Sequence, residues 1–369
     1  MVASATLDGR QEAIRELIQD RWAEHGLAFQ GSAPAQVVAS RPARIQENSV
    51  LFEYAITFSD PQPPLGLIAK IHRQSGPESN IDLDLPAKSV REGRAEWEEL
   101  SKAYRHFADR TDGLGVVRPV GYIEPYHALL VEKASGRELA KIIGTTASDQ
   151  TITLMRAGRW LSSFHKLHAL SNRHWTSQWY ASRLDERRAK FLSLGVSRGR
   201  WEPLLDRVQA QSERLLPQAI PCAMLHGDFR LRHIWATPEG IQVLDLGNAH
   251  EGDCYYDVAS LVVELLTLRL GRPIAGRRRI DRYIRTFLDA YFGAESPGVF
   301  WFFVIDRLFK KWGRWMSRWN HPAKEAGWAA TLQQYVRHVH GTNVVNHLYV
   351  SPWFATRIMK ALERAHTSK

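Results

Sequence analysis

The chain has 369 residues, of which 44% are hydrophobic, so it is not an intrinsically disordered protein and it can bury the cores of more than one domain. No apolar run reaches the roughly 18 residues of a membrane-spanning helix, and the amino-terminal segment lacks the basic and apolar blocks of a signal peptide. The two cysteines, Cys222 and Cys254, exclude a disulfide framework, and we therefore expect a cytoplasmic protein.

The formal net charge is +10, which favours anionic partners such as nucleotides, phosphorylated or acidic molecules, or a membrane surface. A basic surface without a specific partner explains the charge equally well. No recognised nucleic-acid-binding module occurs in the sequence, so we expect no nucleic-acid partner. Peripheral contact with a membrane has no support beyond the charge itself.

Residues 1–34 predict a helical extension before the first domain. Apolar side chains recur there at helical spacing, at Ile14, Leu17, Ile18 and Trp22. Charged residues separate them, so the helix has one apolar face that we expect to pack on the domain that follows. The glycine- and proline-containing cluster at residues 31–34 is typical of a helix end.

Residues 35–132 predict a small β-rich domain. Segments 36–39, 50–58 and 65–71 are rich in β-branched and aromatic residues in rough alternation, which is typical of strands. The turn between the first two, at residues 46–49, contains no glycine. Lys70 is the single charged residue of the third segment, and its side chain must reach either solvent, as on an edge strand, or an anion.

A polar loop at residues 74–88 and a helix at 89–107 complete this domain with two further strands, 116–123 and 128–131. The helix carries apolar residues at Ala95, Leu100, Ala103 and Phe107, and acidic residues at Glu92, Glu96 and Glu99. The polar turn at residues 132–136 marks the boundary with a mainly helical domain, residues 133–369. In that domain, helices are predicted at 151–169 and at 179–215, the second with a break near Gly195. His165 and His168 of the first fit a structural role better than a catalytic one.

The segment at residues 222–261 is the most informative part of the chain. It contains His226-Gly227-Asp228, then His233, and then a Pro-Glu-Gly turn that predicts a hairpin ending in Asp245-Leu246-Gly247. Such a hairpin directs Asp228 and Asp245 to one cleft. In phosphoryl transfer, one carboxylate can hold the metal that neutralises a triphosphate while a second orients the attacking hydroxyl. The alternative is a pair of turn-forming or capping aspartates.

Three further helices follow, at residues 256–270, from 276 and at 301–319. Asp257 lies at the start of the first, where a carboxylate can cap backbone N–H groups. The last has an apolar stripe of Trp301, Ile305, Leu308, Trp312, Trp315 and Trp319 beside a cationic stripe of Arg307, Lys311, Arg314 and Arg318. A core-facing stripe with solvated arginines at its margin is the simpler interpretation. The alternative is an acceptor groove, because aromatic faces suit sugar rings and guanidinium groups suit carboxylate or phosphate.

The His-Gly-Asp motif, the Asp-Leu-Gly motif and the run Gly252-Asp253-x-x-Tyr256-Asp257 resemble the aminoglycoside phosphotransferase and choline kinase superfamily. The resemblance implies an α+β, protein-kinase-like fold with a small β-rich N-lobe and a larger, mainly helical C-lobe. It also implies transfer of the γ-phosphate of ATP or GTP to a hydroxyl of a small molecule or glycan. A sugar-containing or anionic acceptor suits the basic chain better than a polycationic aminoglycoside does.

The resemblance further implies roles for individual residues. Lys70 holds nucleotide phosphates and pairs with a helix glutamate, for which Glu96 fits best and Glu92 and Glu99 are rivals. Main-chain groups at Glu132 and Ala134 bind adenine. Asp245 and His233 hold the metal, Asp228 orients the acceptor hydroxyl, and Arg230 or Arg232 neutralises the transferred phosphoryl group. Asp257 buttresses the catalytic loop in a structural role.

His233 is the main departure from the kinase pattern, which has asparagine five residues after the catalytic aspartate. Magnesium prefers oxygen ligands and imidazole suits softer metals, so manganese is the alternative cofactor. His233 either binds the metal, or hydrogen-bonds Asp228 or a metal-bound water, or marks an impaired kinase-like scaffold that binds nucleotide. Macrolide phosphotransferases resemble this sequence in having histidine at that position, which favours an active enzyme.

Overall fold

The computed structural model describes residues 6–20, 22, 34–59, 63–73, 85–144, 149–196, 198–268, 277–293, 295–320 and 351–367. These residues form two compact units. The first contains the described residues up to Trp160 together with His226–His250, and the second contains Leu161–Leu225 and the described residues from Glu251 onwards. The first unit holds the main antiparallel sheet and the second is mainly helical, which confirms the predicted α+β class.

A five-stranded antiparallel sheet organises the first unit, with the strand order β1-β2-β3-β6-β5. The strands are β1 (Pro34–Ile45), β2 (Ser49–Phe58), β3 (Leu65–His72), β5 (Pro119–Ile123) and β6 (Ala128–Glu132). β1, β2, β3 and β6 extend beyond their predicted limits, because backbone pairing continues past the apolar residues that the sequence pattern detects. The glycine-free turn closes with Gln46 N donating to Ser49 O at 2.8 Å.

Helix α1 (Leu7–Asp20) packs on this sheet, as its apolar face predicts. Ile14, Leu17 and Ile18 are buried in one apolar cluster with residues of β2 and β3, and the hydroxyl of Tyr54 donates to the carbonyl of Gln11 at 2.9 Å. Residues 31–33, which we expected to end the helical extension, lie outside the described residues.

Helix α2 (Ala87–Ala108) begins directly after Pro86, two residues before the predicted start. Its buried face includes Glu96, Leu100 and Phe107, whereas Ala95 is exposed. The helix therefore buries an acidic side chain at a position where its apolar pattern alone would have placed none. Residues 74–84 of the predicted loop lie outside the described residues.

A second, four-stranded sheet has the order β4-β12-β11-β7. Its strands are β4 (Leu114–Val116), β7 (Arg137–Glu138), β11 (Ile234–Ala236) and β12 (Ile241–Val243). The predicted hairpin is confirmed as the antiparallel pair β11–β12. The prediction of one strand at 116–123 is wrong, because Val116 pairs in parallel with Val243 of β12 while β5, which begins at Pro119, pairs with β6.

Short elements and long helices make up the rest of the chain. They are α3 (Leu139–Ile142), α4 (Thr151–Leu167), β8 (Arg173–Trp175), α5 (Ser177–Ser193), α6 (Arg198–Leu215), β9 (Gln218–Ile220), β10 (Cys222–Leu225), β13 (His250–Asp253), α7 (Tyr255–Thr267), α8 (Arg277–Phe292), α9 (Phe300–Asn320) and α10 (Ser351–Thr367). β8 pairs with β9, and β10 pairs with β13. None of the helices in the described ranges is long and apolar enough to cross a membrane.

The aromatic stripe of α9 belongs to the core of the second unit. Trp301 and Trp312 are buried, and the ring of Trp312 lies parallel to that of Phe354 in α10, with centroids 5.8 Å apart. The core-facing interpretation is therefore correct for these tryptophans, whereas the side chain of Trp319 lies outside the described part of the helix.

Asp257 lies in the first turn of α7, but the N-cap residue is Cys254, which makes no side-chain cap. The Asp257 carboxylate is fully buried, and its Oδ2 lies 3.3 Å from Nε2 of His165, whose Nδ1 contacts the Tyr291 hydroxyl at 2.8 Å. This buried network ties α4, α7 and α8 together within the second unit, in agreement with structural roles for His165 and Asp257.

Candidate active site

Lys70, Glu96 and Asp245 meet in the first unit, from three elements that are far apart in the sequence. Lys70 Nζ lies 2.8 Å from Glu96 Oε2 and 2.6 Å from Asp245 Oδ1. β3 supplies the lysine, α2 the glutamate, and the segment after β12 the aspartate. Of the three candidate acids on α2, it is Glu96 that pairs with Lys70; Glu92 lies near Lys88, and Glu99 near Lys102.

The three groups hold one another in their charged forms. Burial alone would lower the pKa of Lys70, but Glu96 and Asp245 raise it above its ordinary value. Burial would raise the pKa of Asp245 and of Glu96, yet Lys70 holds both below their ordinary values, with His233 acting further on Asp245 and His72 on Glu96. The cluster therefore presents one ammonium and two carboxylates at neutral pH.

His72 is a member of this cluster that the sequence analysis missed. Its Nε2 lies 2.6 Å from Glu96 Oε2, and both side chains are buried. The signal was available, because residues two apart on a strand point to the same face and His72 follows Lys70 on β3 at that spacing. Glu96 is thus held by Lys70 and His72 together.

Gly247 of the Asp-Leu-Gly motif packs directly against this cluster. A Cβ atom at that position would lie 2.9 Å from Glu96 Oε2, 3.0 Å from His72 Cε1 and 3.2 Å from Lys70 Nζ. The first of these distances is shorter than real Cβ contacts, so glycine lets the segment after Asp245 approach the Lys70–Glu96 pair.

The His-Gly-Asp motif turns sharply after β10 and positions Asp228. Gly227 has a φ of +79°, and a Cβ there would lie 2.0 Å from the carbonyl oxygen of Asn248, so only glycine fits. His226 is buried, and its Nε2 lies 3.0 Å from the carbonyl oxygen of Leu244. This contact ties the motif to the end of β12, which leads into Asp245.

Two arginines engage the Asp228 carboxylate. Arg230 Nε lies 2.5 Å from Oδ1, and Arg232 NH2 lies 2.7 Å from Oδ2. Both guanidinium groups are more than one third exposed, whereas Asp228 is mostly buried. Each carboxylate oxygen retains a second lone pair, so Asp228 can still accept a hydrogen bond from another hydroxyl.

His233 lies between Asp228 and Asp245. Its Nδ1 is 2.9 Å from the carbonyl oxygen of Asp228, which can only accept, so Nδ1 carries the proton. Its Nε2 accepts from Arg232 Nε at 2.8 Å and lies 3.3 Å from Asp245 Oδ2. Burial lowers the pKa of His233 to about 4, with His226 and Arg232 acting in the same direction and the two aspartates opposing them. The ring is therefore neutral at pH 7 and keeps a lone pair on Nε2.

The donor pair of His233 Nε2 and Asp245 Oδ2 fits a small divalent cation. Two ligands at right angles around an ion with bonds of about 2.1 Å lie about 3 Å apart, close to the 3.3 Å observed. Within the described ranges, no cluster of three or more histidine, cysteine or acidic side chains could hold a metal ion. These two side chains would thus leave most coordination positions to phosphate oxygens and water, as is common for magnesium.

Glu132 and Ala134 lie where β6 leaves the main sheet. The Glu132 carboxylate is held by Arg118, with Oε1 2.6 Å from Nε, and its amide donates to Arg118 O at 2.9 Å. The Lys133 amide donates to Gly66 O at 2.8 Å, whereas no hydrogen bond within the described part of the chain uses the amide of Ala134. Of these three amides, that of Ala134 is thus the one open to a ligand.

Residues 84–299, more than half of the chain, match the phosphotransferase enzyme family (APH). Glu96, Asp228, His233 and Asp245 lie inside this range, and Lys70 precedes it. No curated protein matches the chain by sequence.

Several solved structures are similar to the chain. A glucosamine kinase in complex with glucosamine, ADP and inorganic phosphate is 15% identical and has a TM-score of 0.53, over 92% of this chain and 87% of that one. A second crystal form of glucosamine kinase is 13% identical with the same TM-score, over 98% and 88% of the two chains. The macrolide 2'-phosphotransferase of Brachybacterium faecium is 15% identical, with a TM-score of 0.47 over 85% and 100%. The two glucosamine kinase structures confirm the kinase-like fold predicted from the motifs.

Proposed function

Because the chain belongs to the phosphotransferase enzyme family, we propose that it transfers the γ-phosphate of ATP or GTP to a hydroxyl group of a small molecule or glycan. One observation carries the proposal. A continuous series of polar contacts joins Glu96, Lys70, Asp245, His233 and Asp228, with no separation above 3.3 Å between neighbours. These are the groups that phosphoryl transfer needs, and transfer depends mainly on their positioning and charge.

In the proposed reaction, Lys70 binds nucleotide phosphates, and Glu96 and His72 keep its ammonium in position. Asp228 accepts a hydrogen bond from the acceptor hydroxyl and orients it towards the phosphoryl group. Asp228 need not be a strong base, because the hydroxyl proton can leave late in a loose transition state. Arg230, beside Asp228, neutralises charge on the transferred group, and Arg232 is the alternative for this role.

Asp245 and His233 would hold the metal, with magnesium or manganese as the candidates. The metal supplies neutralisation of the β- and γ-phosphate charge. Arg232 donates to the same Nε2 lone pair of His233 that a metal would use. The guanidinium group and the metal therefore compete for one atom, which makes Arg232 a determinant of metal affinity in this proposal.

Adenine or guanine binding is assigned to the main chain after β6. The amide N–H of Ala134 is the proposed donor to the base, and the carbonyl oxygen of Glu132 is the proposed acceptor. Ser135 N donates to Gln242 Oε1 at 3.0 Å, which fixes this turn to β12. In such a site, main-chain groups hydrogen-bond to the edge of the base. Whether ATP or GTP is the donor is determined by measurement.

The acceptor is proposed to be a small hydroxylated molecule, with sugars first in the order of testing. Glucosamine kinase shares the fold, so amino sugars belong in the panel beside neutral sugars, glycan precursors, macrolides and amino alcohols. Polycationic aminoglycosides rank low because the chain carries a net charge of +10. A cytoplasmic location and the lack of a nucleic-acid partner remain predictions.

The test is incubation of the protein with γ-labelled ATP or GTP, each acceptor, and magnesium or manganese, scored for label on the acceptor. Label transfer that is lost in Asp228→Asn supports the proposal. The competing hypothesis, a catalytically impaired scaffold, requires nucleotide binding without transfer to any acceptor in either metal. The contacts of Asp228 and Asp245 favour the enzyme, because a scaffold has no need for an oriented second carboxylate.

A further inference from the structure

Helices α5 and α9 of the second unit bring together a group of basic side chains that the proposed reaction does not use. This group, the α5–α9 cationic cluster, consists of Arg183 and Arg187 on α5 and of Arg307, Lys310 and Arg314 on α9. The three α9 residues are spaced by three and four positions, so they lie on one face of that helix. Arg307 and Arg314 belong to the cationic stripe expected on α9, whereas Lys310 does not, and Lys311 of that stripe instead contacts the hydroxyl of Thr267.

One buried carboxylate lies within the cluster. Asp306 is 2% exposed, and its Oδ1 lies 2.9 Å from Arg187 Nε, while its Oδ2 lies 3.5 Å from Arg183 NH2. Glu186, which is exposed to solvent, acts on Arg183 as well. Among the described residues, two acidic groups therefore face five basic ones, and the buried acid contacts the two arginines of α5.

Aromatic rings hold the arginines in place without using their hydrogen bonds. The Tyr256 ring has the Arg183 guanidinium 5.6 Å and the Arg307 guanidinium 5.1 Å from its centroid, and Arg183 also lies 5.4 Å from the Trp179 ring. A contact with a ring face uses no N–H group of the guanidinium. Arg183 Nε and the Tyr256 hydroxyl are both buried and have no hydrogen-bond partner within the described residues.

Lys310 responds to this excess of positive charge. Burial lowers its pKa to about 8, and Arg307, Arg314 and Arg187 act in the same direction against the weaker opposing effect of Asp306. An ammonium surrounded by cations gains when a negative charge arrives. Lys310 is thus a member of the cluster, and its pKa should rise when an anion binds there.

We propose that the α5–α9 cationic cluster binds an oxyanion, namely the phosphate or carboxylate group of a small molecule. Preformed guanidinium groups suit such oxygens, and an unpaired tyrosine hydroxyl adds a neutral donor. The proposal is independent of phosphoryl transfer, because none of these residues belongs to the contacts that join Lys70, Asp245 and Asp228. It also gives a function to Arg307 and Arg314, two of the four basic residues in the stripe expected on α9.

The test is competitive acetylation of the intact protein at about pH 8 with acetic anhydride, with the Lys310 product measured by mass spectrometry. Inorganic phosphate, succinate and chloride are compared at equal ionic strength. A rise of the Lys310 pKa from about 8 to about 9 reduces its free amine about fivefold at that pH, so acetylation should slow about fivefold. Protection by phosphate alone, by succinate alone or by both identifies the anion class. Equal rates in all three salts overturn the proposal.

Three variants locate the effect. Arg307→Gln and the exposed Arg314→Gln should each raise the phosphate or succinate concentration for half-protection about tenfold, as expected for loss of one charged contact. Arg188→Gln is the matched control, because it removes one charge from α5 at a residue that pairs with Asp185 and Asp206 outside the cluster. Arg183 and Arg187 stay intact, so Asp306 keeps its partners. The same half-protection concentration in all variants would contradict the assigned site.

Discussion

His72 Nε2 lies 2.6 Å from Glu96 Oε2, on the side of the glutamate that also contacts Lys70. Both residues are buried, so bulk solvent has little access to Glu96 and a lost donor is costly. The orientation of the lysine that is proposed to bind phosphate thus depends on a histidine two residues further along the same strand. This contact and its neighbours lead to four predictions.

Replacement of His72 by phenylalanine should weaken nucleotide use more than acceptor use. Loss of one buried hydrogen bond to a charged group costs about 1.5 to 3 kcal/mol, so kcat/KM for the nucleotide should fall about tenfold or more. Steady-state kinetics with each substrate varied in turn provide the measurement. His72→Gln, which keeps a donor, should recover much of the activity, and the exposed His174→Gln serves as a control. Equal losses in KM for both substrates would point to general damage.

Replacement of His233 by asparagine should shift the metal preference from manganese towards magnesium, because an amide oxygen replaces an imidazole nitrogen. The measurement is the metal concentration for half-maximal activity in wild type and variant. Arg232→Ala should lower that concentration in the wild-type background, since the guanidinium no longer competes for His233 Nε2. An unchanged ratio of the two metals in His233→Asn would argue against direct ligation.

The same histidine predicts a pH dependence of stability. Its pKa is about 4 in the folded protein and 6.5 without the fold, so the unfolded chain binds more protons between these values. The stability that the neutral His233 ring contributes is fully present above 6.5, its pKa in the unfolded chain. It is lost as the pH falls towards about 4, its pKa in the folded protein. Between pH 7 and 5, wild type should lose about 2 kcal/mol more unfolding free energy than His233→Asn does. Urea unfolding at both pH values measures the difference, and parallel losses would refute it.

Gly247→Ala should destabilise the protein by about 1 to 3 kcal/mol and weaken nucleotide binding, because the new methyl group overlaps Glu96 Oε2 and crowds His72 and Lys70. Gly199→Ala is the matched control: that glycine lies in the first turn of α6, and a Cβ added there would have nothing within 4 Å, so alanine should stabilise by up to about 1 kcal/mol. Thermal unfolding with and without ATP compares the two. A Gly247→Ala protein as stable as wild type would show that the segment after Asp245 can move away.

The hairpin within the segment at residues 222–261 could be predicted from the sequence because its geometry is local. A short turn between two apolar strands requires a hairpin, and β11–β12 carries His233 at one end and Asp245 at the other. Gly227 is similarly informative, since a positive φ at this close approach to Asn248 leaves glycine as the residue that fits. These features depend on backbone chemistry within about twenty residues.

Contacts between distant segments were harder to predict. Glu92, Glu96 and Glu99 lie on neighbouring positions of one helix face, so periodicity could not identify the partner of Lys70. The way in which α2 packs on the sheet brings Glu96 to the lysine. The strand predicted at 116–123 divides because its two halves pair with different partners, β12 and β6, which the apolar pattern does not distinguish. His72 was missed because its partner lies on α2.

The sequence by itself determined the family, the hairpin that leads from His233 to Asp245 and the amphipathic helix of the extension, because each depends on residues close together in the chain. Only the tertiary structure decided which glutamate pairs with Lys70, which nitrogen of His233 carries the proton, and that α5 and α9 share one cationic cluster. These outcomes depend on how separate elements pack and on the burial and charge that packing creates, and no local pattern encodes them.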